Sequence, residues 1–228
     1  YAAMMVEQGD DDTLIGGANM SYQNSLRPAL QTIDLLTGIK KVEGMYMMLV
    51  KDLLYFFSDT TVNIEPDSEE IAETAELTAD FVRRLGIEPY VAMLSFSNFG
   101  SAPHPESNKV KEAVRLIKER RPDIMVDGEM QADAAVVKGI LGGTYPFSDL
   151  KRPANVLIFP NLAAANASYK LLNRLGGAAA IGPVLLGLSK PVHLTQRGAT
   201  VADITNLAAI SVVDAAQRRQ KSGGNGDS

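Results

Sequence analysis

The sequence contains no cysteine and only two histidines, His104 and His193. Without cysteine the chain can form no disulfide, no thiolate nucleophile and no zinc site with cysteine ligands. Two histidines are too few for a His-rich metal site. No apolar run approaches the roughly 20 uncharged residues that a membrane-spanning helix needs, and no segment resembles a signal peptide. We therefore expect a soluble, cytoplasmic protein that holds no metal in this chain.

A large excess of charge is also lacking, since 22 lysines and arginines against 27 aspartates and glutamates give a net charge of −5. This balance leaves no broad basic face for nucleic acid. Gly16-Gly17 is not followed by the Gly-Lys-Ser/Thr of a phosphate-binding loop, and no dinucleotide fingerprint is present. With 228 residues and 46% hydrophobic content, the chain can bury one large core or two modest ones.

Strand and helix patterns alternate along the chain. Strands are predicted at residues 13–16, 41–49, 51–59, 90–96, 123–127, 156–159 and 192–195. Helices are predicted at residues 28–35, 67–85, 107–120, 132–141 and 161–175, and from about residue 200 onward. Short connections from residue 90 onward are typical of an α/β layer with mostly parallel strands. Residues 1–9 read as the end of a helix that leads into a strand, so we interpret the chain as the back part of a longer protein.

Several ordered blocks of the sequence resemble the phosphate acetyltransferase family: GIEPYVAMLSFSNFGSA, RPDIMVDGEMQADAA, NVLIFPNLAAANASYK, IGPVLLGLSKPV and RGATVADI. This resemblance implies a three-layer α/β/α fold of the isocitrate/isopropylmalate dehydrogenase-like type, with two lobes and an acyl-CoA cleft between them. It further implies that residues 31–180 form a complete second lobe. Residues 1–30 and 181–220 would then form part of the first lobe. Separately, the composition of residues 221–228 (KSGGNGDS) predicts a disordered tail.

A second resemblance is closer in sequence. SFSNFGSAPHPES, GEMQAD and HLTQRGAT are similar to the C-terminal transacetylase-like module of the large bacterial NADP-dependent malic enzymes. It implies a regulatory module that binds acetyl-CoA as an effector, acts on a malic-enzyme domain of the same chain and transfers no acetyl group. NADP and a divalent metal would then belong to an N-terminal portion outside this chain. The alternative is an active phosphate acetyltransferase, which converts acetyl-CoA and phosphate into acetyl phosphate and CoA.

The turn at residues 196–198 bears on this choice. Family members with transacetylase activity read Ser-Arg-Gly there, with an aspartate six residues beyond the arginine, and the serine and aspartate are assigned to catalysis. This chain keeps Arg197 and Asp203 at that spacing but has Gln196 in place of the serine. A glutamine side chain donates and accepts hydrogen bonds but is no base near neutral pH. We therefore expect anion binding without turnover, and assign no catalytic residue.

The resemblance implies further ligand-binding residues. Arg174 can offer a two-pronged contact to phosphate, or can be an ordinary cation at a helix C-terminus. Asp203 can equally be a first-turn acid that favours the helix dipole. The loop at residues 97–101 follows a strand, where α/β sheets bind ligands, and its glycine permits close backbone approach. The remaining candidates, with ordinary polar or surface roles as alternatives, are Ser97, Gly100, Ser101, Asn166 and Arg27.

We expect Arg174, Arg197 and the helix start at residues 200–203 to converge on one anionic ligand. His193 is interpreted as a structural strand residue. A homodimer built mainly from the second lobe is expected, because residues 41–57 (KVEGMYMMLVKDLLYFF) are rich in methionine and aromatic side chains. Large exposed apolar patches are commonly interfaces. No nucleic-acid or membrane partner is expected.

Overall fold

The structure is a computed structural model, and it describes residues 1–17, 19, 21–59, 61–195 and 198–223. The helices are α1 (Ala2–Gln8), α2 (Tyr22–Thr32), α3 (Ser68–Arg84), α4 (Pro105–Arg120), α5 (Ala132–Val136), α6 (Lys138–Thr144), α7 (Leu162–Arg174) and α8 (Val201–Gly223). The strands are β1 (Leu14–Gly16), β2 (Glu43–Val50), β3 (Leu53–Ser58), β4 (Tyr90–Leu94), β5 (Met125–Met130), β6 (Val156–Ile158), β7 (Ala179–Leu186) and β8 (Val192–Leu194).

The chain divides into two compact units: a first unit of Tyr1–Val42 with Ile181–Ser228, and a second unit of Glu43–Ala180. The sequence prediction placed the first boundary after residue 30 instead. Residues 31–42 belong with the first unit because their main chain bonds to the connection between β7 and β8. The Leu36 N–H donates to the Gly187 carbonyl (2.8 Å), and the Ser189 N–H donates to the Asp34 carbonyl (2.8 Å).

The second unit is built on a sheet with the strand order β2-β3-β6-β4-β5. Strands β3, β6, β4 and β5 run parallel, and β2 is antiparallel to β3. Both faces of the sheet are covered, since the adjacent β4 residues Ala92 and Met93 are each fully buried. Helices α5, α6 and α7 pack on one face, around Tyr169 and Leu141. Helix α3 packs against β3 and β6, and α4 against β4 and β5, which completes three α/β/α layers and confirms the predicted fold class.

Helix α3 shows why these residues form a helix. Asp67 accepts a hydrogen bond from the Glu70 N–H (2.9 Å), and the Glu70 side chain accepts one from the Asp67 N–H (3.1 Å). This reciprocal pair satisfies two main-chain donors at the helix start. Ile71, Ala75 and Val82 are buried at helical spacing, and arginines occupy the last turn. The helix predicted over residues 67–85 is confirmed.

Two predicted helix starts are wrong. Helix α4 begins at Pro105 rather than at Ser107, because His104 caps it: the His104 Nδ1 accepts from the Glu106 N–H (3.2 Å), and Ser107 accepts from the His104 N–H (3.0 Å). Proline is well suited to a first helical position. Helix α2 begins at Tyr22 rather than at Pro28, because the Ser21 side chain accepts from the Asn24 N–H (3.3 Å).

The apolar segment at residues 41–57 is mostly core, so it does not provide the exposed patch from which the homodimer was predicted. Met45, Met48 and Phe56 are fully buried, and Tyr46 stacks on Tyr169 with ring centroids 4.3 Å apart. Of its large apolar side chains, those near the turn between β2 and β3 are exposed, Leu49 (43%) and Leu53 (59%). The homodimer itself stays a prediction.

The first unit contains the strand order β1-β8-β7, with β1 parallel and β7 antiparallel to β8. Gly17 lies against Thr195 so closely that a Cβ would meet the Thr195 carbonyl oxygen at 2.2 Å, and its φ of +110° also favours glycine. His193 is fully buried, and its Nδ1 accepts from the Leu185 N–H (3.2 Å), as expected of a structural strand histidine. None of the described helices has the length and hydropathy required to cross a membrane.

Two carboxyl groups are buried together at the start of β2 and the end of β3. Glu43 and Asp59 are 1% and 5% exposed, and the Asn63 side-chain amide donates to both (2.8 and 2.9 Å). Asp59 also accepts main-chain N–H bonds, from Gly44 (3.1 Å) and Asn63 (2.6 Å) among others. Burial, and then the neighbouring Asp59 carboxylate, raises the pKa of Glu43 well above its ordinary value. Glu43 therefore keeps its proton at a pH at which an exposed glutamate has lost it.

This raised pKa predicts a pH dependence of stability. Between the ordinary Glu43 pKa of 4.5 and its raised folded value, the folded state keeps a proton that the unfolded state has lost. The free energy of unfolding therefore falls as pH rises through this window. We expect Glu43→Gln to remove that slope, because an amide donates to Asp59 and accepts from Asn63 without titrating.

Urea denaturation of both proteins at pH values from 4.5 upward measures the slope. Glu88→Gln, at an exposed position in the same unit, is the control and should leave the slope unchanged. Equal slopes in the parent protein and Glu43→Gln would contradict the assignment of the buried proton to Glu43.

Candidate functional site

The candidate site lies at one edge of the sheet in the second unit. Because β3, β6, β4 and β5 run parallel, their carboxyl ends meet at the same edge, where open α/β sheets bind ligands. The loop at residues 97–101 follows β4 there, and Glu129 lies near the end of β5. Asn161 follows β6 and caps α7, its side chain accepting from the Ala164 N–H (2.9 Å).

The loop at residues 97–101 is folded around the buried carboxylate of Glu129. Glu129 is 2% exposed, and its Oε1 accepts from the Ser97 hydroxyl (2.9 Å) and from the Gly100 N–H (2.6 Å). The Glu129 carbonyl accepts from the Phe99 N–H (2.8 Å). Three contacts from one residue therefore define the path of this loop.

The loop uses its own main-chain donors. Besides those bound by Glu129, the Asn98 N–H donates to the Ser101 hydroxyl (2.9 Å), and the Ser101 N–H to the Asn98 carbonyl (3.0 Å). The Ser97 and Ala102 N–H groups donate to serine hydroxyls at 3.2 and 3.0 Å. In this conformation no main-chain N–H of residues 97–102 is left for a phosphate, so contacts from the loop to a ligand must come from side chains.

The glycine of this loop is explained by its backbone conformation. Gly100 has a φ of +86°, in the left-handed region, and a Cβ there would meet nothing within 4 Å. Ser97 is fully buried with its hydroxyl engaged, whereas Gly100 and Ser101 are exposed. Of the predicted contacts in this loop, Gly100 and Ser101 are thus accessible to a ligand and Ser97 supports them from below.

The other predicted ligand residues are distributed over both units. Asn166 and Arg174 belong to the second unit, and Arg27 and Asp203 to the first. Gln196 and Arg197 lie outside the described residues. Convergence of Arg174, Arg197 and the start of α8 on one anion therefore stays a prediction.

Arg174 is an exposed cation in the last turn of α7. In the described part of the chain no carboxylate pairs with its guanidinium, whereas Arg115 and Arg121 each bind two acidic side chains. Asn166 is half-buried on the same helix, and Arg27 is exposed on α2. Arg174 is therefore available to an anion, although its position also suits a cation that interacts with the helix dipole.

Asp203 has a structural contact in the first unit. Its Oδ2 accepts from the Thr200 N–H (2.8 Å) and the Thr200 hydroxyl (2.8 Å), and its own N–H donates back to Thr200 Oγ1 (3.2 Å). This reciprocal arrangement caps the start of α8. It supports the interpretation of Asp203 as a first-turn acid, and it leaves Oδ1 as the carboxylate oxygen outside the cap.

An aromatic cluster beside the loop was missed at the level of sequence. The ring of Phe99 lies 5.2 Å from that of Tyr145 and 5.0 Å from that of Phe147, which is 64% exposed. Asp127 on β5 holds the segment that follows these rings, since it accepts from the Ser148 hydroxyl (2.7 Å). Asp127 and Glu129 are acidic residues inside a buried strand. That pattern could have indicated from sequence that these two side chains bind the loops nearby. Within the described ranges, no group of three or more acidic or histidine side chains could hold a metal ion.

Comparison with known proteins gives a consistent result. A family model described as phosphate acetyl/butaryl transferase matches residues 1–212. The phosphate acetyltransferase of Bacillus subtilis (strain 168) is 43% identical over 215 residues, which are 94% of this chain and 67% of that protein. The NADP-dependent malic enzyme of Escherichia coli (strain K12) is 42% identical over 214 residues, 93% of this chain and 28% of that protein.

Among solved structures, the EutD phosphotransacetylase from Staphylococcus aureus matches with a TM-score of 0.87 and 41% identity. That match covers 93% of this chain and 66% of the other. The chain thus spans about two thirds of the length of the acetyltransferases that it resembles.

The capping role of Asp203 at the start of α8 can be tested by its effect on the free energy of unfolding. We expect Asp203→Ala to lower the free energy of unfolding by about 1 kcal/mol, because the Thr200 N–H loses its partner. Asp203→Asn keeps that acceptor and should cost only about 0.5 kcal/mol from the lost interaction with the helix dipole. Urea denaturation of the three proteins at pH 7 is the measurement. Unchanged stability of Asp203→Ala would rule out the capping role.

Proposed function

We propose that this chain contributes an acyl-CoA site and transfers an acetyl group between CoA and phosphate. The chain belongs to the phosphate acetyl/butaryl transferase family. The observation that carries the proposal is the identity of 43% over 94% of this chain with a phosphate acetyltransferase. The exposed guanidinium of Arg174 supports it, because a planar arginine suits a phosphate oxygen pair. The chain spans about two thirds of the length of such relatives. The activity of the whole protein is therefore itself a proposal.

The reaction would join a phosphate oxygen to the thioester carbonyl carbon and break the bond from carbon to sulfur, so that CoA leaves as a thiolate and takes up a proton. Cations must hold the phosphate, and a donor must stabilise the oxyanion that forms at the carbonyl. The sequence resemblance proposes Arg174 and Arg197 as the cations, and Gln196 as a residue that can donate to the oxyanion through its amide. Asp203, through the carboxylate oxygen outside the cap, is the group that can exchange a proton with the thiol.

A second candidate function is regulatory. Gln196 replaces the serine that the family assigns to catalysis, and the chain is 42% identical with part of an NADP-dependent malic enzyme. In this case acetyl-CoA is an effector of a malic-enzyme domain in the same polypeptide, and NADP and a divalent metal are held outside this chain. Any such effect is reciprocal, so ligands that favour the active state would change acetyl-CoA affinity by the same factor.

A cytoplasmic location and a homodimer belong to both candidates. Light scattering at micromolar concentration measures the oligomeric state, and a monomer would contradict the homodimer prediction.

A direct assay of acetyl phosphate and free CoA formation tests the first candidate. We expect turnover by the parent chain, and about 10- to 100-fold lower kcat/KM in Arg174→Ala, because one charge-assisted contact to phosphate is lost. Arg115→Ala, which removes an exposed arginine of α4, should leave kcat/KM unchanged. Absence of turnover in the parent chain would overturn the first candidate.

Calorimetry with acetyl-CoA tests the second candidate independently of turnover. A chain that binds acetyl-CoA without forming acetyl phosphate supports regulation, and Gln196→Ser is then expected to gain measurable turnover if the amide is what prevents it. A chain that binds no acetyl-CoA at millimolar concentration would contradict both candidates.

A further inference from the structure

The carboxyl group of Glu129 is buried with an incomplete set of hydrogen-bond partners. Its Oε1 accepts two hydrogen bonds, whereas its Oε2 is buried and has no hydrogen-bond partner in the described part of the chain. None of the ion pairs among the described residues includes Glu129. Burial of a polar oxygen without a hydrogen-bond partner disfavours the folded state, so hydrophobic packing of β5 does not explain this residue.

The conformation that Glu129 maintains is itself unfavourable. Phe99 and Gly100 both have positive φ, at 48° and 86°, and a phenylalanine rarely adopts the left-handed region. The Gly100 N–H and the Phe99 N–H both point to Glu129, through Oε1 (2.6 Å) and the main-chain carbonyl (2.8 Å). Without the carboxylate, the Gly100 N–H and the Ser97 hydroxyl would lose their acceptor, and the loop would be free to leave this strained path.

In this conformation, the side chain of Asn98 has a hydrogen-bond donor that is available to a ligand. Its Oδ1 accepts from the Gln131 N–H (2.8 Å). A main-chain N–H can only donate, so the Asn98 atom that faces it must be the oxygen, and the amide nitrogen is the group left over. Asn98 is half-exposed, and its Nδ2 has no partner in the described ranges. It is therefore a side-chain donor at the carboxyl edge of the sheet, where the main-chain donors of the loop are all used.

We propose that Asn98 donates a hydrogen bond from Nδ2 to an acceptor oxygen of acyl-CoA, and that Glu129 is the positioning residue that holds the loop for this contact. Gln131 orients the amide from the other side, through its N–H to Asn98 and its Nε2 to the Phe96 carbonyl (2.6 Å). The same loop conformation places Phe99 against Tyr145 and Phe147. This inference rests on the proposed function for the identity of the ligand, but the positioning role of Glu129 does not.

Calorimetric titration of the whole chain with acetyl-CoA is the first measurement. Glu129→Gln keeps an acceptor for Ser97 and Gly100, so we expect an acetyl-CoA Kd within about 3-fold of the parent value. Glu129→Ala removes the acceptor and should weaken binding about 10- to 100-fold. Glu88→Ala is a control that removes an exposed glutamate of the same unit and should leave the Kd unchanged. Equal affinity of a folded Glu129→Ala protein would overturn the positioning role.

Asn98→Asp tests the contact in a protein whose folding is not at risk, because the new side chain still accepts from Gln131. We expect about 10-fold weaker acetyl-CoA binding that persists at 0.5 M salt, because salt screens long-range charge repulsion but does not replace a lost hydrogen-bond donor. Recovery of the parent Kd at high salt would therefore overturn the donor role of Asn98.

Amide hydrogen exchange of residues 95–103 measures the positioning role of Glu129 independently of ligand binding. In the absence of ligand, exchange in these residues should accelerate in Glu129→Ala and not in Glu129→Gln. A parent chain that binds no acetyl-CoA but shows this pattern would contradict the proposed function and the ligand contact while supporting the positioning role. Equal exchange in both variants would overturn the positioning role whatever the ligand.

Discussion

Buried carboxyl groups that bind main-chain N–H groups shape the loops at the carboxyl edge of the sheet in the second unit. Asp59 organises the turn after β3, and Glu129 organises the loop after β4. Asp127 holds the segment that precedes β6. In low-dielectric surroundings such hydrogen bonds are strong, and an unsatisfied carboxylate is costly, so each loop is confined to the path that satisfies its acid. The sheet supplies the position of this edge, and the acids supply the shape of its loops.

This construction has a consequence for anion binding. In the loop at residues 97–102 the main-chain N–H groups donate to Glu129 and to other acceptors of the protein, so none is left for a phosphate. Glycine-rich phosphate-binding loops differ, because they bind phosphate through their N–H groups. Guanidinium and amide side chains must then recognise the ligand. Arg174, exposed and unpaired in the described part of the chain, fits this mode of recognition. It agrees with a family whose description is phosphate acetyl/butaryl transferase and with a matching protein named phosphate acetyltransferase.

The two candidate functions are supported by similar degrees of sequence identity. The likeness to phosphate acetyltransferases extends over nearly the whole chain, and so does the likeness to part of a malic enzyme. A glutamine instead of a serine at residue 196 changes what this side chain can do with a proton, while an amide, like a hydroxyl, can still donate a hydrogen bond. A binding site can therefore be retained while the rate of transfer changes, because binding and transition-state stabilisation depend on different groups.

The sequence alone determined the α/β class, the parallel strands and the extent of α3, because these depend on local signals such as hydrophobic spacing and the Asp67–Glu70 cap. It also indicated the loop after β4 and the exposed arginine of α7. Tertiary structure alone decided that residues 41–57 are mostly core, that His104 caps α4, and that Glu129 and Asn98 form hydrogen bonds at the loop after β4. The reason is physical: a hydrogen bond between Glu129 and Gly100, 29 residues apart, depends on how β4 and β5 are paired. No local propensity encodes that distance.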